Sequence, residues 1–190
     1  KTEDVVYVSS GEGTTRQGDF HEALNWASNA KIPVIFHIQD NEYAISTHKS
    51  EQTADSVYTM TAGFKNRSRY EVDGTNFFET NLAFKQAVER AKRGKGPSLI
   101  VSNVVRLLPH SSSDDQRKYR TPEDLDDDLK RDPLIILEEE CVVEKFISSK
   151  EFQKIRDKAH LQVEKDIEWT LEQNNPDSSM AMNHIYSDDI

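Results

Sequence analysis

Two short acidic segments have the residue types to hold a metal and a diphosphate. Gly11-Glu12-Gly13 is followed, after 26 residues, by Asp40-Asn41-Glu42-Tyr43. A hard divalent ion such as Mg²⁺ takes oxygen ligands in an octahedron. The Glu12 carboxylate, the Asn41 side-chain oxygen and the Tyr43 backbone carbonyl would supply three of them. Two diphosphate oxygens and a water would complete the shell. Gly11 and Gly13 would let the chain approach the phosphates closely. A helix starting near Gly18 would turn its positive end toward the anion. The metal would carry the neutralising charge, so an acidic protein can bind a diphosphate this way. A lone Gly-Glu-Gly is also an ordinary strand-to-helix turn. The placement of Asp40-Asn41 after the next strand favours the ligand reading.

The elements that must position these residues are legible from periodicity. Val5 to Val8 reads as a buried strand closed by the glycine turn. Phe20, Ala23, Leu24 and Ala27 recur at helical spacing and predict a helix from about Asp19 to Ala30. Pro33 to Ile38 reads as a second buried strand. This β-α-β order implies a parallel sheet with a right-handed crossover. Ligands of such sheets bind beyond the carboxyl ends of the strands, which is where both acidic segments fall. A short helix is expected over Ala54 to Phe64 and a third strand over Arg69 to Val72. Asn76 and Glu79 read as a capping box for a helix with Phe77, Phe84, Ala87, Val88 and Ala91 on one face. A fourth strand is expected over Ser98 to Val105. After it, Leu108 to Gln116 reads as a polar loop. Thr121-Pro122, Asp132-Pro133 and Ser148-x-x-Glu151 each start a helix. The last of these carries Phe152, Ile155, Ala159, Val163 and Ile167 on a narrow seam. The organisation expected is an α/β core over 1–106, a loop over 107–121, helices over 122–173 and a tail or linker over 174–190. The fold class is α/β, with a mostly parallel sheet of about four strands and helices on both faces.

Composition narrows the function classes. The chain has 190 residues, with 34 acidic against 24 basic side chains and a formal charge of −10. General nucleic-acid binding is disfavoured, because phosphate neutralisation needs a basic surface. No run of about 18 apolar residues is present to span a membrane. Lys1-Thr2-Glu3-Asp4 does not have the pattern of a secretory signal. The single Cys141 forms no internal disulfide and fits a reducing compartment.

With these motifs in place, the sequence resembles the alpha subunit of the E1 component of 2-oxo acid dehydrogenases. That family's metal motif is GDG, then about 26 residues, then NN; here it stands as GEG and DN, and Glu is the branched-chain variant. Gly18 to Asn25, Asn41-Glu42-Tyr43-Ala44-Ile45-Ser46, Val72-Asp73-Gly74 and Gly96 to Ile100 match in order. Arg106 to Asp115, with Tyr119-Arg120, resembles the family's R-x-x-x-H-S-x-S-D-D loop. The match runs from about residue 5 to 140. It departs at Asp40 for the first Asn, at Glu42 for a Gly, and at Gln39 where some relatives carry a diphosphate-binding Arg.

The resemblance implies a thiamine-diphosphate-binding fold and the cofactors thiamine diphosphate and Mg²⁺. It implies Glu12, Asn41 and Tyr43 as metal ligands, and Gly11, Gly13, Arg106 and His110 around the cofactor. His110 would assist acyl transfer, and Ser111 aligns with a serine that a dedicated kinase phosphorylates in mitochondrial relatives. The activity implied is oxidative decarboxylation of a branched-chain 2-oxo acid with acyl transfer to lipoamide. The alternatives are pyruvate or acetoin dehydrogenase E1, a transketolase-like reaction, or a structural or interaction module. The partners implied are an E1 beta part, fused or separate, and a lipoyl-bearing E2, in an oligomer. A bacterial cytoplasm is expected, or a mitochondrial matrix in a eukaryote. Family alpha subunits carry a further segment before the first strand seen here. The expectation is therefore a piece of a diphosphate-binding domain that is inactive alone.

Other residues carry blander readings. His21 and His37 are expected to be structural. His48, His160 and His184 lack metal-ligand spacing. Glu123 to Asp132 reads as a solvated helix face, Cys141 as packed in a helix, and Trp26 as core or interface.

Overall fold

The β-branched runs form one sheet in the computed structural model, which describes residues 4–183. The elements in chain order are β1 (Val6–Gly11), α1 (Gly18–Ala30), β2 (Val34–Asp40), β3 (Tyr43–Ala44) and β4 (Thr47–His48). They continue with α2 (Val57–Met60), β5 (Ser68–Asp73), α3 (Phe77–Lys92), β6 (Ser98–Asn103), α4 (Pro122–Lys130), α5 (Pro133–Val143) and α6 (Ser149–Glu172). Two compact units are present, Lys1–Glu140 and Cys141–Ile190. His184 and the end of the expected tail lie outside the described residues.

In the first unit the sheet order is β1-β2-β6-β5, with every pairing parallel. β3 and β4 form a separate antiparallel pair. The chain steps from β1 to β2, across to β5, and then back to β6. Right-handed crossovers put helices from opposite steps on opposite faces. Accordingly Leu24 and Ala27 of α1 and Val57 of α2 pack with Val34, Phe36, Ile38, Leu99 and Val101. Ala83 and Ala87 of α3 pack on the other side with Ile35, Val72 and Ile100. β2 and β6 are buried along nearly their whole length, as central parallel strands require.

Several local expectations change. β1 is not a buried strand: Val6, Tyr7 and Val8 are exposed, because among the described residues β1 lies at the sheet edge and pairs with β2 alone. The expected helix over Ala54 to Phe64 shrinks to Val57–Met60, with Ser56 Oγ accepting the Thr59 N–H at 3.1 Å. Thr61 Oγ1 closes it by donating to the Val57 and Tyr58 carbonyls. The Asn76 capping box is half made. Asn76 Oδ1 accepts the Glu79 N–H at 3.0 Å, while Glu79 reaches the N–H of Asp73 instead. Phe77 is exposed, and α3 buries an alanine row, Ala83, Ala87 and Ala91. Trp26 is 72% exposed and is not core.

His37 has a structural role. It is buried in β2, with Nδ1 2.9 Å from Tyr7 Oη and Nε2 2.9 Å from Ser102 Oγ. Burial pushes its pKa below the usual 6.5. The unfolded chain therefore takes up a proton that the fold does not, and stability falls as pH drops from 6.5 toward the folded value. His37→Gln is expected to remove that slope in denaturation measured between pH 5 and 7.5.

In the second unit Ser148 and Glu151 make a complete capping box at the start of α6. The side chains of Ile155, Val163 and Ile167 on its apolar seam are exposed. Among the described residues no helix is long and apolar enough to cross a membrane.

Candidate functional site at the carboxyl ends of β1 and β2

β1 and β2 run in parallel register, with Gly11 opposite Gln39, so their carboxyl ends deliver Glu12 and Asp40 side by side. The chain does not enter α1 directly after Gly11. It first winds through a 3-10 turn, Glu12–Arg16, pinned by Thr15 Oγ1 donating to the Glu12 carbonyl at 2.6 Å. The helix then starts at Gly18, as expected, one 3-10 turn beyond the acidic residue.

Glu12 is 6% exposed, and its Oε1 is buried without a hydrogen-bond partner. Burial pushes its carboxyl up from the usual range. Backbone N–H groups of Glu12 and Asn41 oppose this, the charge of Asp40 adds to it, and Lys49 opposes it. An orphaned buried carboxylate costs about 1–3 kcal/mol or more, and a cation would satisfy it. Gly13 serves packing: a Cβ there would meet the Ala44 Cβ at 2.6 Å. At Gly11 a Cβ would make only an ordinary contact with the Gln39 oxygen at 3.9 Å, so no close approach requires glycine there.

The segment after β2 is a tightly bonded turn. Asp40 Oδ1 accepts the Glu42 N–H at 2.9 Å, and Asn41 Oδ1 accepts the Tyr43 N–H at 3.0 Å. Glu42 has φ 69° and Ile45 φ 57°, both in the left-handed region that favours glycine. For β-branched Ile45 this is a strained state of the kind held at functional turns. Lys49 bonds Glu42 at 2.8 Å and approaches Asp40 at 3.6 Å. The Lys49 bond holds the Glu42 carboxyl below its usual range. Partial burial opposes the Lys49 charge, but Glu42 and Asp40 more than offset it and push its pKa up. A cavity of about 220 Å³ opens here, lined by Glu12, Asp40, His48, Lys49, Gln52 and others.

Arg106 joins the polar loop to this turn. Its guanidinium donates to the Ile45 carbonyl and to Tyr119 Oη, both at 2.7 Å, and lies near the Tyr43 and Tyr119 rings. Tyr119 Oη donates to Asp114 Oδ2 at 2.6 Å, which also accepts the His110 N–H at 2.9 Å. These bonds hold the Asp114 carboxyl below its usual range, the Tyr119 bond most. His110 is exposed on the loop, linked to Arg106 through Asp114 and Tyr119. Ser111 is also exposed, with its Oγ 3.2 Å from that of Ser113. Gln39 is exposed, with its Oε1 3.5 Å from Ser9 Oγ. Arg106→Met is expected to speed proteolytic cleavage within 107–121 about tenfold, read by mass spectrometry of timed digests.

Among the described residues no group of three His, Cys, Asp or Glu side chains could hold an ion. The donors expected from sequence, a carboxylate, an amide and a carbonyl, are hard oxygens of the kind that suits Mg²⁺. The orphaned Glu12 oxygen fits a bound cation.

A sequence profile described as "Dehydrogenase E1 component" matches residues 1–178. The chain belongs to the dehydrogenase E1 component family. It is 41% identical over 136 residues to the 2-oxoisovalerate dehydrogenase subunit alpha of Bacillus subtilis, covering 71% of this chain and 41% of that one. It is 39% identical over 132 residues to a pyruvate dehydrogenase E1 component subunit alpha of Staphylococcus aureus, covering 69% and 36%. A Staphylococcus epidermidis subunit of the same name gives the same figures. The chain thus spans about two-fifths of the length of these curated relatives. The parallel sheet is the α/β architecture expected of this E1 chain.

Sequence reasoning missed Lys49, Asp128 and the carbonyl of Ile45. Lys49 and Asp128 stand in polar runs that read as surface, and a backbone carbonyl has no sequence signature. Tyr119-Arg120 was visible only as part of a motif. Its signal was a Tyr-Arg pair shortly after Asp114-Asp115.

Proposed function

We propose that this chain forms the metal- and diphosphate-holding part of a thiamine-diphosphate-dependent E1 that decarboxylates a branched-chain 2-oxo acid. The acyl group would pass to lipoamide on an E2 partner. The observation that carries this reading is Glu12, buried with a free Oε1 beside the Asn41–Tyr43 turn in an E1-family chain. When bound, thiamine diphosphate supplies the electron sink for loss of CO₂. Glu12, Asn41 Oδ1 and the Tyr43 carbonyl would hold Mg²⁺. Gly11 and Gly13 would lie beside the phosphates. Arg106 holds the loop against the Tyr43–Ile45 turn, and the exposed His110 on that loop would assist acyl transfer. A phosphate on Ser111 would put negative charge beside Asp114 and compete for the groups that hold the loop.

The relatives are longer than this chain, and we infer that turnover requires the remaining E1 segments, including a beta part, in an oligomer. We place the working enzyme in a bacterial cytoplasm. The Glu of Gly11-Glu12-Gly13 and the 41% relative favour the branched-chain substrate. A pyruvate enzyme is the second reading, because the 39% relatives bear that name. The test is lipoamide acylation by the complete E1 with 3-methyl-2-oxobutanoate or pyruvate. At least tenfold higher kcat/KM for the branched acid is expected. A preference for pyruvate would give the second reading, and carboligation without lipoamide acylation would overturn both.

A further inference from the structure

Two carboxylates at the strand ends compete for one role. Glu12 and Asp40 are both nearly fully buried, 6% and 5% exposed, and their charges oppose each other. Only Glu12 keeps an oxygen without a partner. Asp40 is engaged on both sides, by the Glu42 N–H at Oδ1 and by Lys49 Nζ at Oδ2. The same ammonium holds Glu42 at 2.8 Å, and the Lys49 N–H donates to the Glu42 carbonyl at 2.7 Å. Glu42 sits at φ 69°, a state for which a non-glycine residue needs support from its surroundings. One lysine therefore ties down both ends of the Asp40–Glu42 turn, whose middle residue is Asn41.

We propose that Lys49 is a positioning residue that straps the Asp40–Tyr43 turn in its left-handed form and occupies Asp40, leaving Glu12 as the carboxylate open to a cation. This rests on the reading of Glu12, Asn41 and Tyr43 as the cation-holding set. In this account Glu42 is tolerated at a glycine-favouring position because Lys49 restrains it. Removal of the strap frees the turn, and Asp40 becomes a second unpaired carboxylate beside Glu12. Glycine at 42 makes the strap dispensable for the backbone, because glycine adopts positive φ without strain.

The test is amide hydrogen exchange on the full chain, read at the N–H groups of residue 42 and of Tyr43. These donate to Asp40 and Asn41. Lys49 is a third exposed, so its truncation leaves the core untouched. Lys49→Met is expected to speed exchange at Glu42 and Tyr43 at least tenfold and to leave Ile100 and Val101 unchanged. Lys49→Arg should retain protection, and Glu42→Gly combined with Lys49→Met should restore it at Tyr43. Unchanged protection in Lys49→Met overturns the proposal, as does failure of Glu42→Gly to rescue it. A parallel Mn²⁺ titration by electron paramagnetic resonance should show binding in Lys49→Met at least as tight as in the wild type, because the ammonium is gone and Asp40 is freed beside Glu12; weaker binding would overturn the part given to Asp40. A wild-type protein that takes up no Mn²⁺ would overturn the cation reading instead, and the exchange result would still decide the role of Lys49.

Discussion

Glu12→Gln is expected to stabilise the metal-free fold while lowering Mg²⁺-dependent thiamine diphosphate affinity on the order of 100-fold, about 2.8 kcal/mol. Both effects come from one oxygen. Oε1 of Glu12 is buried with no hydrogen-bond partner, and Asp40 adds repulsion. A neutral amide of the same shape removes the charge that the fold must desolvate. A gain of about 1 kcal/mol would raise Tm by about 2–4 °C. The sign with pH follows from the same shift. Because the folded pKa lies above 4.5, the native state holds its proton more tightly than the unfolded chain does. Stability from this group is full at low pH and is lost as pH climbs from 4.5 through the folded value. The difference in unfolding free energy between Glu12→Gln and wild type should therefore widen in favour of the variant across that window. Saturating Mg²⁺ and cofactor should reverse its sign. Calorimetry measures both quantities on the complete E1. Unchanged cofactor affinity would remove Glu12 from the metal site, and a lower metal-free Tm would show that its charge is satisfied in the fold.

Arg120→Met is expected to cost about 3–5 kcal/mol, the usual result of leaving one member of a buried ion pair alone. The Arg120 side chain is 4% exposed and that of Asp128 18%. Arg120 Nη2 meets Asp128 Oδ2 at 2.7 Å, and Nη1 donates to the Arg106 carbonyl at 3.2 Å. Asp128 Oδ2 also accepts the Arg106 N–H at 3.2 Å. The pair therefore clamps both peptide groups of the residue that joins the loop to the Tyr43 turn. A loss of this size is a large share of the roughly 5–15 kcal/mol of a typical domain. Arg120→Met combined with Asp128→Leu should recover most of it, since apolar pairs replace buried ion pairs at little net cost. Urea denaturation of both variants and of the single Asp128→Leu gives the coupling energy. Additive losses would mean that the pair does not act as a unit. The double variant should still lose cofactor affinity, because Arg106 is then no longer held in register with Ile45.

Local patterns in the chain determined much of this architecture. The strand runs, the glycine turns and the Thr121 and Ser148 caps depend on residues within a few positions of one another, and the structure contains them. The adjacency of Glu12 and Asp40 was favoured because consecutive parallel strands usually pair, but it was not forced, since the next crossover, from β2 to β5, skips a strand. The family relationship was likewise legible in Gly11-Glu12-Gly13, Asp40-Asn41 and the His110–Asp115 loop. What the tertiary structure alone decided is the burial of each strand and the pairing of charged side chains. β1 became an exposed edge because burial depends on what lies beside a strand, not on its own composition. Lys49 became the partner of Asp40 and Glu42, and Asp128 the partner of Arg120, because the path of the turn or helix between them, not residue type, decides which charges meet. The free oxygen on Glu12 is of the same kind. Sequence named the carboxylate, and only packing showed that every neighbouring donor passes Oε1 by.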